Sequence, residues 1–400
     1  MPLWSSTAAA ESTNQAVVTG HSVVLGSASG LVAVAASTGS LRWRTNEGVT
    51  ILRTDGGVIF YGTNTGTVGA REGASGTSKW ERANVCPPSP GNGARAATAL
   101  AKTANALLVG CVGGTLALLD AGSGMPRARS RAFEADQVAQ IIPLGRCAYG
   151  VSGSASGAKM RLVSAIVDCR TLRVIYPEQI EVEILGSVGN VAILWQCCSN
   201  PDTYRPGTVY AVDLASGRAF PRHDLRPEPQ RFPPPRPVGQ EAEPFLAGSD
   251  LFLIVHRTVY AYGDARAPAA IPRRVADGLV EFPLVMAGGT IAIERPGTDG
   301  RIVGEIVRMG PGPLRTLWRH VFQQRDSVRY YPSVDPNVAV TSVERDETLF
   351  VRIPDGRMVN AGAPCSLLGS DAQLLIANCW TTMFGGRHYV AAYRWLATGS

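Results

Sequence analysis

Lysine is almost missing from this chain: among its 400 residues only Lys79, Lys102 and Lys159 carry an ammonium side chain. The other cations are arginines scattered along the sequence, adjacent only at Arg273-Arg274, so the net charge of +6 arises without a basic run or an interleaved aromatic platform. That distribution argues against a nucleic-acid footprint, which needs clustered positive charge. Histidine is scarce too, at positions 21, 223, 256, 320 and 388, with no HExxH, no i, i+4 pair and no Cys-x-x-Cys, so zinc finds no local ligand set. A GxSxG elbow and a phosphate-binding P-loop are both absent. No stretch of 18 apolar residues occurs, which excludes a membrane-spanning helix, and the opening MPLWSSTAAAEST lacks the charged and apolar regions of a signal peptide. An export signal or membrane anchor is therefore expected upstream of Met1, not within this chain.

What the chain does have is a recurring phrase. It reads GLVAVAASTGSLRW at 30–43, GTVGAREGASGTSKW at 66–80, GTLALLDAGSGMPR at 114–127 and GTVYAVDLASGRAF at 207–220. Each copy is a Gly, an alternating apolar strand, a Ser-Gly or Thr-Gly turn, and a further strand. Ahead of the copies lie apolar runs such as Val23-Val24-Leu25, Ile59-Phe60-Tyr61, Leu107-Leu108-Val109 and Phe252-Leu253-Ile254, bounded by Gly, Asn, Ser and Asp. Degenerate copies continue at 147–176, 257–262, 290–318, 338–359 and 374–395. Self-similarity at this spacing signals a repeat architecture, and a lone four-stranded sheet cannot bury both faces without neighbours stacked around it. The expectation is all-β: a β-propeller of about eight four-stranded antiparallel blades, with strand pairs counting to about nine and residues 1–400 forming one domain. Pro2-Leu3-Trp4 reads like an orphan outer strand that completes the last sheet, which closes the ring and removes two exposed edges. Residues 226–244, RPEPQRFPPPRPVGQEAEP, read as a stiff Pro-rich loop between blades.

The phrase resembles the repeat of quinoprotein-like propellers, the group of pyrroloquinoline-quinone (PQQ) dehydrogenases and BamB-like assembly lipoproteins. In that family the pattern is Gly-Thr-Leu-Tyr-Ala-Leu-Asp, Thr-Gly, then a strand ending in Trp; Gly207 to Gly217 fits it almost position by position. The resemblance implies a ring of eight, and it implies that Trp43, Trp80 and Trp318 dock on the neighbouring blade as structural residues.

Eight cysteines are present, and hairpin geometry pairs four of them. Opposite residues in a hairpin have a constant index sum, so Cys147 and Cys169 face each other about a turn at Gly157-Ala158. Cys365 and Cys379 face each other about Gly369-Ser370-Asp371. Facing positions bring Cα atoms to roughly 4.5–5.5 Å, within disulfide reach. Cys86 and Cys111 make a third candidate bridge. Cys197 and Cys198 are adjacent: either separate thiols or, by resemblance to PQQ-dependent alcohol dehydrogenases, a vicinal disulfide platform two residues after Trp195. Such pairing points to an oxidising compartment, extracellular or in the cell envelope. Asp335-Pro336-Asn337, Asp299-Gly300 and Asp355-Gly356 have turn compositions, which account for them without calcium.

Repeat without site motif makes the expected function a non-catalytic propeller, monomeric, with no cofactor, binding a protein or small ligand through one face of the ring. The resemblance keeps two alternatives: a PQQ- and calcium-dependent dehydrogenase, for which no catalytic or metal residue can be numbered here, and the sensor domain of a larger membrane-anchored protein.

Overall fold

In the computed structural model the described residues are 2–6, 13–89, 93–103, 105–131, 136–155, 161–196, 207–225, 242–255, 257–269, 272–279, 283–286, 289–298, 301–310, 314–322, 329–331, 338–343, 347–355, 357–380 and 388–395. Among them the strands assemble into nine four-stranded sheets. We number these 1 to 9 in chain order: 13–44, 49–82, 97–131, 137–180, 182–224, 242–276, 284–322, 329–360, and 365–394 joined by Trp4–Ser6. Each is an antiparallel meander, and the nine match the strand-pair count; the round figure of eight came from the resemblance.

The middle strands of each sheet read as unbroken apolar runs because both of their faces are covered. In sheet 1, Val23 and Leu25 pack with sheet 9 while Val24, between them, packs with sheet 2, and all three are at most 2% exposed. In sheet 3, Leu107 and Val109 face sheet 2 and Leu108 faces sheet 4. A strand alternates its side chains, so a sheet held between two others must be apolar at every position. Each such Val or Leu contributes about 1.5–3 kcal/mol by leaving water.

Nine apolar clusters result, one at each seam, and the last joins Ile376 and Ala392 of sheet 9 to Val23 and Leu25 of sheet 1. The succession returns to its start, so the sheets form a closed ring. Closure is made by Trp4–Ser6, which pairs with the strand His388–Arg394 in the register Trp4↔Ala392, as the orphan-strand reading expects. The first strand of each sheet lies innermost: Thr13–Thr19, Val49–Asp55, Ala97–Thr103, Gln137–Leu144 and Val182–Val188 each contact the next. Side chains at bulges reinforce these contacts. Thr50 Oγ1 donates to Ala97 O (2.6 Å), Thr98 Oγ1 donates to Val138 O (2.6 Å), and Gln15 accepts from Leu52 N (2.7 Å).

The Pro-rich segment needs one correction. The first strand of sheet 6 spans Ala242–Ala247, so residues 242–244 are strand and not loop. Pro244 is tolerated because the innermost strand has a sheet partner on one side only, and a missing N–H is harmless on the other. Residues 226–241 lie outside the described residues.

Candidate functional site

The ring has two unlike ends. At one end lie the turns between first and second strands and those between third and fourth strands; we call it the turn end. These turns satisfy themselves. Asp120 accepts from Gly122 N, Ser123 N and Ser123 Oγ, and Asp168 and Asp213 repeat the arrangement with Thr171 and Ser216. The donors at Ser123, with Arg127, hold the Asp120 carboxyl down at about 2. Asp355, read as a turn residue, accepts from Arg357 N at 3.3 Å; Asp299, Gly300, Gly356 and 335–337 lie outside the described residues.

The same turns receive tryptophans from the preceding sheet. Trp43 Nε1 donates to Gly73 O (3.1 Å) and Trp80 Nε1 to Ala121 O (3.0 Å). A Cβ on Gly76 would sit 2.6 Å from the Trp43 ring, and one on Gly124 would sit 2.5 Å from Trp80. Both glycines also have positive φ, 75° and 70°, which favours a residue without Cβ. The repeated phrase thus encodes the two halves of one contact, a Trp and the Gly of the following copy. Trp80 is 7% exposed, whereas Trp43 is half-buried. Trp318 packs on sheet 8 with its N–H against Met358 Sδ. Trp4, which sequence reasoning saw only as a strand marker, docks on sheet 1 through Ala36 O and Gly39.

At the other end, the loop end, the second strand connects to the third and each sheet connects to the next. The connections containing 197–206, 226–241 and 381–387 all leave from here. Cys86 and Cys111 are joined at this end, as are Cys365 and Cys379, while Cys147 and Cys169 are joined at the turn end. Cys365 and Cys379 stand directly opposite in the ladder. Cys197 and Cys198 lie outside the described residues.

Between the ends runs a channel walled by the innermost strands, and its charges were not legible in the sequence. Glu183 of sheet 5 is cross-strand from Trp195, whose side chain packs in the seam toward sheet 6, so Glu183 is turned to the sheet that carries Glu243. Both are the second residue of an innermost strand, and neither carboxylate has a cationic partner among the described residues. Burial, reinforced by the Glu183 charge, pushes Glu243 up to about 7. Burial also raises Glu183, although that residue is exposed. On sheet 2, Arg53 is similarly open yet walled in; burial lowers its pKa, and its guanidinium donates to Leu52 O. At the turn end of sheets 2 and 3, Asp55 and Lys102 pair. The channel therefore carries Glu183 and Glu243 on one arc, and Arg53 with the Asp55–Lys102 pair on another. Sixty residues separate Glu183 from Glu243 in sequence, and only the ring brings them together.

A closed ring of antiparallel four-stranded sheets with apolar seams defines a β-propeller. Residues 2–142, from the closing strand into sheet 4, match the family model described as outer membrane protein assembly factor BamB. Over these residues the chain carries the PQQ-repeat, BamB-like pattern. No curated protein matches the chain. Among solved structures it is similar to BamB from Moraxella catarrhalis, at 13% identity and a TM-score of 0.46 over 95% of this chain and 96% of that one. It is also similar to the quinohemoprotein alcohol dehydrogenase from Comamonas testosteroni, at 10% identity and 0.47 over 87% of this chain and 74% of that one. The computationally designed Ika8 protein gives 14% identity and 0.47 over 96% of both chains. No helix among the described residues is long and apolar enough to cross a membrane.

Proposed function

We propose that this chain is a non-catalytic, monomeric propeller of the cell envelope or extracellular space that recognises a protein or small ligand through its loop end. The observation that carries the reading is the difference between the ends. At the turn end Asp120, Asp168 and Asp213 are spent on their own turns and Gly39, Gly76 and Gly124 are covered by tryptophans, whereas the long connections leave from the loop end, where recognition surfaces of scaffolded folds are built. Three cysteine pairings fit an oxidising compartment. Nine continuous seams support taking 1–400 as a single domain.

Photo-cross-linkers placed at Ala28, Thr65 and Arg257 on the loop end, and at Thr38, Ser75 and Ser216 on the turn end, test it in envelope extracts. Adducts confined to the first set are expected; adducts confined to the second set overturn the assignment. The PQQ and calcium alternative needs a flat side chain facing the cofactor, and Trp195, the residue singled out for it, is 9% exposed and packed among Ile193, Val209, Leu251 and Leu253. Trp195 therefore presents no open face to such a group. Dye reduction after reconstitution with PQQ and calcium would reverse this reading.

A further inference from the structure

The chain has seven tryptophans, and six of them are committed to the fold. Trp4, Trp43, Trp80, Trp318 and Trp395 each have the indole N–H bonded, to Ala36 O, Gly73 O, Ala121 O, Met358 Sδ and Asp371 O. Trp195 is packed in the seam of sheets 5 and 6. Trp380 is the exception. It ends the second strand of sheet 9 at the loop end, is half-buried, and its N–H has no partner among the described residues.

The surroundings of Trp380 are built in a particular way. Exposed His388 stands opposite in the ladder and stacks on the indole, with centroids 5.6 Å apart and planes 22° apart. Two residues back on the same face is Asn378, whose Oδ1 is buried with no hydrogen-bond partner, an arrangement that costs about 1–3 kcal/mol. Opposite Asn378, on the innermost strand, is exposed Ser366. The face thus combines a flat ring stacked by His388, an unused N–H donor and an exposed hydroxyl, beside a buried amide acceptor that lacks a donor. Ser366, Asn378 and Trp380 are uncharged, and together with His388 they offer neither a guanidinium for an anion nor a carboxylate for a cation.

From this set we infer that the loop end of sheet 9 is a binding site for a neutral saccharide, stacked on Trp380 and hydrogen-bonded by the Trp380 N–H and Ser366. A sugar ring matches both halves of the surface: its C–H face covers an aromatic ring, and its hydroxyls donate and accept around the edge. A planar charged ligand matches only the stack. The inference rests on the loop end being the recognition surface and names one ligand class for it.

The test is calorimetric and fluorescence titration of the full, disulfide-intact chain with maltoheptaose and, separately, N-acetylchitohexaose. Saturable binding of either, with quenching of tryptophan emission, is expected. Trp380→Ala should weaken it about tenfold or more, and Trp380→Phe, which keeps a ring but loses the N–H, should weaken it less. Circular dichroism and thermal melting of both variants establish that the ring is intact, and Ser366→Ala supplies a variant that leaves the stack in place and should also weaken binding. No binding of either sugar up to about 10 mM, near the weak limit of useful affinity, overturns the site; so does an unchanged affinity in folded Trp380→Ala. If the sugars fail while loop-end cross-linkers still capture a partner, only this inference falls.

Discussion

Substituting Gly124 by alanine perturbs the docking contact at one atom. The new Cβ meets the Trp80 ring at 2.5 and 2.6 Å, and the indole cannot retreat because Trp80 is 7% exposed and its N–H is fixed to Ala121 O. Two costs add. Holding an L-residue at φ +70° costs about 1 kcal/mol or more, and forcing a carbon into a packed contact costs about 1–3 kcal/mol. The sum is about 2–4 kcal/mol. Gly20→Ala isolates the first cost, since Gly20 has φ +57° and nothing within 4 Å of its Cβ position. Urea unfolding of both variants, followed by tryptophan emission with the disulfides kept intact, should show Gly124→Ala the less stable by about 1–3 kcal/mol. A third variant, Trp80→Ala combined with Gly124→Ala, should show the alanine at 124 costing only its backbone share. If Gly124→Ala and Gly20→Ala lose equal stability, the tryptophan is not held against the glycine and the account of the repeated phrase is wrong.

Other outcomes follow from the same geometry. Thr98→Val removes the donor to Val138 O, and a loss of about 1 kcal/mol is expected by denaturant titration; no change would mean that the bulge contacts between innermost strands are incidental. Glu243 shows a raised pKa, so the folded state holds the proton more tightly than the unfolded one. Stability should therefore be greatest below the ordinary value of 4.5 and fall as pH rises through about 7. Melting temperatures taken across that window should flatten in Glu243→Gln; an unaltered slope refutes the raised proton affinity of Glu243. Deleting Pro2–Ser6 exposes the edge of His388–Arg394 and the seam to sheet 1, so lower thermal stability and self-association in light scattering are expected. Alkylation with and without prior reduction, read by mass, should show Cys86, Cys111, Cys147, Cys169, Cys365 and Cys379 protected until reduced.

The scaffold was largely legible because its two signals are local. Runs such as Leu251–Val255 announce a strand covered on both faces, and the Ser-Gly or Thr-Gly turn followed by a strand announces a docking pair. The facing cysteines were legible for the same reason, since a tight hairpin fixes which positions oppose. The channel was not. Its wall comes from the innermost strands, one per sheet, which have a partner on one side only and water on the other. Segments such as VTILRTD at Val49–Asp55 therefore mix buried Ile51 with open Arg53 and look like loop. Glu183 and Glu243 become neighbours only through ring geometry, and no spacing rule marks them. Trp380 escaped notice because it follows an apolar strand as docking tryptophans do; its place at the loop end of a second strand, with the indole N–H unbonded among the described residues, separates the two cases only in the structure.

Why one end should be left for recognition follows from the seams themselves. A sheet pressed between two others has no free face, and its outer strand is the only edge on the circumference. Specific contacts must then form at the strand ends. At the turn end many of those groups are already used: Asp120, Asp168 and Asp213 accept from their own turns, and Trp4, Trp43 and Trp80 fill the space over Gly39, Gly76 and Gly124, so a change made there to suit a partner would cost ring stability. Connections at the loop end carry no such obligation. Residues there can vary in length and composition while Val23, Leu107 and their equivalents hold the sheets in place, and that freedom allows one ring to serve different ligands.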